Sequence, residues 1–241
     1  MNILMIDTSG PACGVALSSG GRMVCEMQLT SGMTHSQRLM PMVDTAMQMS
    51  GMELKDIDLF GAVVGPGSFT GVRIGVSTVK ALAHAKGKPC IGVDALQALA
   101  ANIADFDGVI CPILDARAQQ VYGAMFEPGM PPKRLCEDAV EKLTLFLDRV
   151  EADGRRAIFL GDGAPGFETA IRERLGEKAG FAPAQHMGLR AASACALAQS
   201  GYEAAQRGEG ELCDYLTLLP LYLRAPQAER ERAAREAAKR G

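Results

Sequence analysis

The chain has 241 residues, 48% of them hydrophobic, and a formal net charge of −3 from 25 basic and 28 acidic residues. This length and hydrophobic content suffice for the core of one large or two small domains. The near balance of charge excludes the global basic footprint with which proteins bind nucleic acids tightly through phosphate. We therefore expect no tight, direct contact between this chain and a nucleic acid.

The cysteines and the first residues of the chain favour a reduced, cytoplasmic protein. The seven cysteines are odd in number, include no CxxC pair and lie mostly in apolar runs, which is typical of core residues in a reducing compartment. Residues 1–7 predict a strand that ends on an acid, without the basic and apolar regions of a signal peptide. No apolar stretch of 18 residues follows, so we expect no membrane insertion.

The first hundred residues predict an antiparallel meander followed by alternating helices and strands. Short turns containing glycine and serine separate the first three strands, as in consecutive hairpins. The alternation that follows predicts parallel strands. The predicted elements are strands 3–7, 12–18 and 23–29, a helix over 36–50, a strand over 59–64, a helix ending near 85, a strand over 90–93 and a further helix.

The same pattern restarts near Asp107. Residues 109–115 repeat the opening strand ending on an acid, and residues 120–126 repeat its hairpin partner. Helices over 140–150, 167–175 and 191–207 and a strand over 157–160 are predicted after them. A duplicated α/β unit of this kind is the plan of the actin, sugar kinase and Hsp70 superfamily, which holds a nucleotide between two halves.

The duplication predicts an N-terminal half over residues 1–104 and a C-terminal half over residues 105–217. We expect the remaining segment, 218–241, to pack back on the N-terminal half. Its last part, 229–241, mixes five basic with three acidic residues, which is typical of a solvated helix.

Two turns of the first half are candidates for contacts with a nucleotide. In one, an acid after the first strand can orient metal-bound water while hydroxyls and amides face phosphate, although an ordinary Asx or Ser/Thr turn is the alternative. In the other, four glycines join a strand to a helix start, with a spacing that matches neither a P-loop nor a dinucleotide fingerprint. The candidate residues are Asp7, Thr8, Ser9, Gly65, Gly67, Ser68, Thr70, Gly71 and, in the second half, Asp115.

The two helices of the first half predict a protein-binding surface. On a helical wheel the apolar residues of 36–50 cover about 180°, which exceeds the ~100° stripe needed to dock on one sheet. Four methionines flank this arc and suit a surface that repacks against partners, with an adaptable core as the alternative. In the next helix Gly71 and Gly75 lie four residues apart among small residues, so a second helix could approach closely, unless internal packing uses them.

No catalytic centre is evident from the motifs. The three histidines, His35, His84 and His186, form neither an HExxH nor an HxxxH pair, and Gly-x-Ser-x-Gly is absent. We expect no metal site and no peptidase chemistry. A nucleotide-dependent kinase or ATPase that uses Asp7, Asp115 and the turn 161–163 is the alternative, although residues 116–120 lack the glycines with which a hairpin wraps phosphate.

Taken together, the motifs resemble the TsaB family of tRNA threonylcarbamoyladenosine biosynthesis subunits, which is related to the glycoprotease-like proteins. The resemblance is weak between Cys136 and Leu216, and residues 92–96 depart from it. It is carried by Ile6-Asp7-Thr8-Ser9, by His35-Ser36 with Leu39 and Pro41, by the run from Gly65 to Gly75, by Asp115-Ala116-Arg117 with Val121-Tyr122, and by Pro220 with Tyr222-Leu223-Arg224.

The resemblance implies a non-catalytic subunit that pairs with the catalytic homologue TsaD and engages the ATPase TsaE. Their product is threonylcarbamoyladenosine at position 37 of ANN-decoding tRNAs, and this chain would meet tRNA only through the complex. The resemblance implies an HxxxH metal motif on the corresponding helix of TsaD. Here Leu39 occupies the position of the second histidine, four residues after His35. The resemblance thus implies no intrinsic cofactor or metal, with ATP or ADP and Mg only at the complex interface.

The resemblance also implies that the chain forms a homodimer when alone, through the same two helices that contact TsaD. The implied interface residues are His35, Leu39, Met40, Met42, Val43, Ala46, Met47, Arg73, Val76 and Lys80.

Overall fold

A computed structural model describes residues 1–224, so the charged stretch 229–241 lies outside the described residues. The first half contains five strands and three helices in the predicted order. They are β1 Asn2–Asp7, β2 Cys13–Ser19, β3 Arg22–Leu29, α1 His35–Ser50, β4 Leu59–Gly65, α2 Phe69–Lys86, β5 Cys90–Asp94 and α3 Ala95–Ala100.

The first sheet has the strand order β3-β2-β1-β4-β5. The first three strands form an antiparallel meander, and β4 and β5 are added in parallel, as predicted. Central β1 is buried on both faces from Ile3 onward, which accounts for its nearly continuous apolar sequence. Asp7, which ends β1, therefore lies at the end of the central strand, where α2 begins.

The second half repeats this plan with shorter strands. Its elements are β6 Val109–Asp115, β7 Gln120–Gly123, β8 Phe126–Glu127, β9 Lys133–Arg134, β10 Ala139–Lys142, α4 Leu143–Asp153, β11 Ala157–Leu160, α5 Ala164–Leu175, β12 Ala179–Phe181, α6 Ala184–Met187 and α7 Ala191–Gln206.

The main path of the second sheet, β10-β7-β6-β11-β12, has the same third-second-first-fourth-fifth order as the first sheet. Its first three strands are again antiparallel and its last two are added in parallel. The chain therefore has the duplicated α/β fold of the actin, sugar kinase and Hsp70 superfamily, and the predicted fold class is confirmed.

Three predicted elements of the second half were wrong in their bounds. The helix predicted over 167–175 begins three residues earlier, at Ala164, and two other elements are altered by strand pairing. The helix predicted over 140–150 begins only at Leu143, because residues 139–142 pair with β7 as strand β10. The hairpin partner predicted over 120–126 is broken at residues 124 and 125, after which Phe126 pairs with Ile110 as part of β8. In both places pairing between distant strands overrides the local pattern.

Helices and sheets stack in alternating layers. Helices α1 and α2 cover one face of the first sheet, and α4 and α5 cover the outer face of the second. Helices α3 and α7 lie between the sheets, in a shared cluster that includes Met5 and Phe126. Strand β6 contributes Ile110 to this cluster and Cys111 to the outer one, as the two-residue period of a strand requires. The division at residue 104 stays a prediction.

Two ion pairs reinforce the joint between the halves. Glu26 on β3 pairs with Arg190 and also accepts a hydrogen bond from the Ala192 amide at 2.9 Å, so that it holds the start of α7. Asp94 caps α3 and pairs with Arg134 at 2.9 Å. Each carboxylate combines a cap with an ion pair across the joint.

The C-terminal segment, here residues 218–224, packs on the first half. Leu218 is 1% exposed within the cluster beneath α1 and α2, and its carbonyl accepts a hydrogen bond from Lys80 Nζ at 3.1 Å. The Leu221 amide donates to the Val64 carbonyl at 2.7 Å. Within residues 1–224, no helix is long and apolar enough to cross a membrane.

The contribution of the C-terminal segment to stability can be measured with neighbouring leucines. Leu218→Ala should lower the free energy of unfolding by about 2–5 kcal/mol, because it leaves a cavity in a closed core. Leu219→Ala, at a side chain that is 66% exposed, should change it by less than about 0.5 kcal/mol. Urea unfolding of both variants gives the comparison, and equal losses would show that the segment is not anchored through Leu218.

Candidate functional site

The turn after β1 is a compact, buried polar structure. Asp7, Thr8 and Ser9 are each 2% exposed or less. Asp7 Oδ1 accepts hydrogen bonds from the Ser9 amide at 2.8 Å and from Ser9 Oγ at 2.6 Å. Burial raises the pKa of Asp7 from 3.8 to about 6, against the opposing effect of the Ser9 hydrogen bonds. The turn is therefore an Asx turn, the alternative given above, and its carboxyl group is buried.

The glycines of the run 65–75 bring this turn against the start of α2. The Ser68 amide donates to the Ser9 carbonyl at 2.7 Å, and Thr8 Oγ1 donates to the Gly71 carbonyl at 2.7 Å. A Cβ atom at Gly67 would lie 2.3 Å from the Ser9 carbonyl oxygen, and one at Gly71 would lie 2.0 Å from that of Thr8. Ser68 is also the cap of α2, since its Oγ accepts from the Gly71 amide at 3.2 Å.

Gly65 and Gly75 have packing roles of the same kind. Gly65 has φ +116, and a Cβ there would lie 2.6 Å from the Leu221 carbonyl oxygen of the C-terminal segment. At Gly75 the added atom would meet Thr8 Oγ1 at 2.6 Å. The close approach predicted for this glycine run is thus made within the protein itself, to backbone at Gly65, Gly67 and Gly71 and to the Thr8 side chain at Gly75. Gly71 and Gly75 therefore serve internal packing, the alternative given above.

A central cleft of about 600 Å³ opens between the two halves. The first half lines it with residues 9–11, His35 and 66–69. The second half contributes residues 114–117, Tyr122 and Asp162, and the C-terminal segment adds residues 221–224. The site thus lies where the equivalent turns of the two sheets face each other.

The wall from the second half is built around a turn of unusual conformation. Arg117, Ala118 and Gln119 all have positive φ, between 52° and 64°, a region that residues with a Cβ rarely adopt. Asp115 holds this turn by accepting from the Arg117 amide at 2.8 Å, and its own amide donates to Asp162 Oδ1 at 3.0 Å. Non-glycine residues therefore stand, at some conformational cost, where a hairpin that wraps phosphate would carry glycines.

The C-terminal segment closes one side of the cleft. Tyr222 packs on Phe69 with ring centroids 4.8 Å apart, and the Arg73 guanidinium lies 5.3 Å from the centroid of the same Phe69 ring. Arg224 Nη1 donates to the Ala116 carbonyl at 3.0 Å. The segment therefore touches both halves at the mouth of the cleft, a role that sequence reasoning missed although Tyr222 and Arg224 had been noted.

His35 lies at the cleft and not on an outer surface of α1. Its Nε2 is 3.0 Å from the Gly10 carbonyl, and its Nδ1 is buried without a hydrogen-bond partner among residues 1–224. Burial lowers the pKa of this imidazole. Leu39, one turn further, is 1% exposed in the core, and its aliphatic side chain has no atom that can bind a metal.

The candidate nucleotide-facing residues fall into three groups. Ser9, Gly67, Ser68 and Asp115 line the cleft. Asp7, Thr8 and Gly71 are buried behind its wall, as is Gly65, which faces the C-terminal segment, whereas Thr70 is exposed on the first turn of α2.

The candidate interface residues are also divided. Six of them are buried within the chain itself and cannot form an outer surface: Leu39, Met42, Val43, Ala46, Met47 and Val76. Met40 and Arg73 are exposed, while Lys80 is partly buried beneath the C-terminal segment. Met49, 81% exposed, supplies apolar surface at the other edge of α1. A surface built from α1 and α2 would therefore depend on few of the predicted side chains.

The comparisons with known proteins agree with this architecture. A family model described as TsaD, tRNA N6-adenosine threonylcarbamoyltransferase, matches residues 30–231. The tRNA threonylcarbamoyladenosine biosynthesis protein TsaB of Bacillus subtilis is 33% identical over 231 residues, which cover 95% of this chain and 96% of the relative. A crystal structure from Pseudomonas aeruginosa, described as an uncharacterized protein with similarity to peptidase YEAZ, is 30% identical, with a TM-score of 0.75 over 92% of this chain and 99% of that one.

The fold and the matching family model define a threonylcarbamoyltransferase-like protein of the actin, sugar kinase and Hsp70 superfamily. A shorter match to the transferase itself, from Erythrobacter litoralis, is 41% identical over 73 residues, or 30% of this chain and 21% of that enzyme. Within this class, the near full-length match shows that the chain belongs to the TsaB family.

The tight contact at Gly71 should be intolerant of a methyl group. Gly71→Ala is expected to lower the free energy of unfolding by about 2 kcal/mol or more, because the Thr8 carbonyl must move. Gly166 is the third residue of α5, as Gly71 is of α2, and has nothing within 4 Å. Gly166→Ala should instead stabilise by up to about 1 kcal/mol. Denaturant unfolding tests the pair, and a stable Gly71→Ala variant would contradict the described contact.

The buried carboxyl of Asp7 should make stability depend on pH. Because its pKa is raised on folding, its stabilising effect is complete below pH 3.8 and is lost as the pH rises through about 6. The loss is roughly 3 kcal/mol. Asp7→Asn keeps an oxygen for the Ser9 amide but does not titrate, so the difference in unfolding free energy between wild type and variant should change by roughly this amount between pH 4 and pH 7.5. A constant difference would show that Asp7 titrates normally.

Proposed function

We propose that this chain is the non-catalytic partner subunit of a cytoplasmic assembly that forms threonylcarbamoyladenosine in tRNA. It binds the catalytic homologue TsaD and, together with TsaE, positions that enzyme for transfer to adenosine 37 of ANN-decoding tRNAs. The near full-length relative is named for threonylcarbamoyladenosine biosynthesis, and the family model is that of the transferase, which supports pairing between two related chains.

The observation that carries the non-catalytic role is the environment of His35. This histidine bonds to the Gly10 carbonyl at the cleft, and the position of a second ligand in HxxxH is taken by Leu39, which is buried in the core. A metal-binding side chain introduced at position 39 could reach the cleft only if that core opened. The residues present do not fit the metal of the catalytic homologue.

The packing of the turns also supports a non-catalytic role for this chain. Asp7 Oδ1 is occupied by Ser9, Gly67 and Gly71 lie against backbone carbonyls, and the turn of the second half is formed by Arg117, Ala118 and Gln119 instead of glycines. We propose that ATP or ADP and Mg, where they take part, bind at the interface of the complex. With a net charge of −3, the chain would meet tRNA through its partners.

Reconstitution of threonylcarbamoyl transfer tests the proposal directly. Transfer to tRNA is measured with the homologous catalytic subunit, TsaE and the enzyme that supplies threonylcarbamoyl-adenylate, in the presence and absence of this chain. ATP hydrolysis by the chain alone is measured alongside. Transfer that depends on the chain, without hydrolysis by the chain alone, is the expected result. Turnover of ATP by the isolated chain, together with transfer in its absence, would establish the kinase alternative.

The partner surface can be tested at exposed positions, where folding is not at risk. Met40→Glu combined with Arg73→Glu should weaken binding to TsaD at least tenfold, or about 1.4 kcal/mol, because it places charge and removes a cation at the proposed contact. Leu145→Glu changes a leucine that is 53% exposed on α4 and should leave binding unchanged. Calorimetric titration compares both variants with the wild type, once thermal unfolding has shown that all three melt at the same temperature. Equal affinity of both for TsaD would place the contact elsewhere.

A further inference from the structure

Two cysteines face each other where the chain returns to the first sheet. Cys90 begins β5 and Cys213 precedes the C-terminal segment, and the two residues form an isolated antiparallel bridge. The Cys90 amide donates to the Cys213 carbonyl at 2.8 Å, and the Cys213 amide donates to the Cys90 carbonyl at 2.9 Å. Residues that exchange both bonds in this way have Cα atoms about 5.5 Å apart, within the roughly 4.4–6.8 Å range of disulfides. Their Cβ atoms must approach from about 5.5 Å to about 4.5 Å or less for the bond to form.

The surroundings give the two thiols different roles. Cys90 is fully buried, and burial together with the neighbouring Cys213 raises the pKa of its thiol to about 11. Cys213 is only partly buried and lines an open cleft of about 750 Å³, beside His84, Lys88 and Tyr215. A small disulfide in solution can therefore reach Cys213, while Cys90 is held next to it as the second thiol.

We propose that Cys90 and Cys213 form a reversible disulfide when the chain meets a small disulfide oxidant such as oxidised glutathione. The Cys213 thiolate attacks one glutathione sulfur, which breaks the glutathione disulfide and releases one glutathione thiolate. The Cys90 thiol then gives up its proton and attacks the Cys213 sulfur, which releases the second glutathione. The two protein thiols are oxidised, and one oxidised glutathione is reduced to two molecules of the thiol.

This bond would pin the start of the C-terminal segment to the edge of the first sheet. The segment reaches from there to Lys80, to Val64 and finally to Ala116 at the cleft. A link between residues 90 and 213 closes a long loop and restricts the unfolded chain, so oxidation should raise the melting temperature by roughly 5–10 °C. Disulfides in reducing compartments are usually transient and serve redox sensing, which agrees with a reversible bond here.

Peptide mapping of the native full-length chain tests the proposal. The protein is incubated with oxidised glutathione or with dithiothreitol, quenched in acid, alkylated and digested, and its peptides are identified by mass spectrometry. The expected result is a linked pair of peptides containing Cys90 and Cys213, which dithiothreitol removes. Glutathione retained on Cys213 beside a free Cys90 would overturn the proposal, as would equal linkage of Cys90 to other cysteines.

Single substitutions separate this pair from the other thiols. Cys213→Ser should abolish both the link and the rise in melting temperature, whereas Cys90→Ser should leave Cys213 carrying glutathione. Cys25→Ser, at another partly buried cysteine, is the matched control and should behave as the wild type. A rise in melting temperature that persists in Cys213→Ser would contradict the assignment, and the mapping of the wild type holds even if a variant folds poorly.

Discussion

The structure depends on the close contact between the turn after β1 and the start of α2. Three consecutive polar residues, 7–9, are buried there. Asp7 Oδ1 accepts from Ser9, Thr8 Oγ1 donates to the Gly71 carbonyl, and the Ser9 carbonyl accepts from the Ser68 amide. Unpaired, such groups would each cost on the order of 1–3 kcal/mol. The contact is possible only where no Cβ intervenes, so it fixes glycine at positions 67 and 71 and places α2 on the sheet.

This contact also shapes the central cleft. In a fold that holds nucleotides between two halves, turns of this kind are positioned to face the ligand. Here the first-half turn bonds inward, and the opposite wall is a left-handed turn of residues with side chains. The architecture is that of the actin, sugar kinase and Hsp70 superfamily, while the polar groups of its turns largely bond within the protein itself. The proposed partner role is consistent with that commitment.

Much of this fold follows from the sequence because its signals are local. Strand β11 and the start of α7 were predicted to the residue, since glycines and changes of periodicity mark them. Strand β10 was missed because its conformation depends on β7, which lies about twenty residues earlier. The helical wheel of α1 gave the apolar arc, but not how much of it the sheet would cover. It therefore could not show that Met42 and Val43 are core residues.

The cleft was harder to predict than the fold. Ser68 and Asp115, which were singled out from their turns, line the cleft, whereas Asp7 lies buried behind it. The contacts of Tyr222 and Arg224 join parts of the chain that no motif connects. Burial of Arg38, whose Nη1 donates to the Leu29 carbonyl at 2.9 Å, gave no signal in a helix with polar residues around it. Hydrophobic periodicity does not predict long-range contacts that single side chains make.

The position of Leu218 has a consequence for protein synthesis. The first half supplies the other side chains of the core beneath α1 and α2, except Cys213 at its edge, so this core is complete only after residue 218 has been translated. At roughly 5–20 residues per second, the first half emerges from the ribosome several seconds before the leucine that fills it. We expect the nascent chain to expose apolar surface beside Lys80 during that interval, and chaperones that recognise incompletely closed domains to bind there.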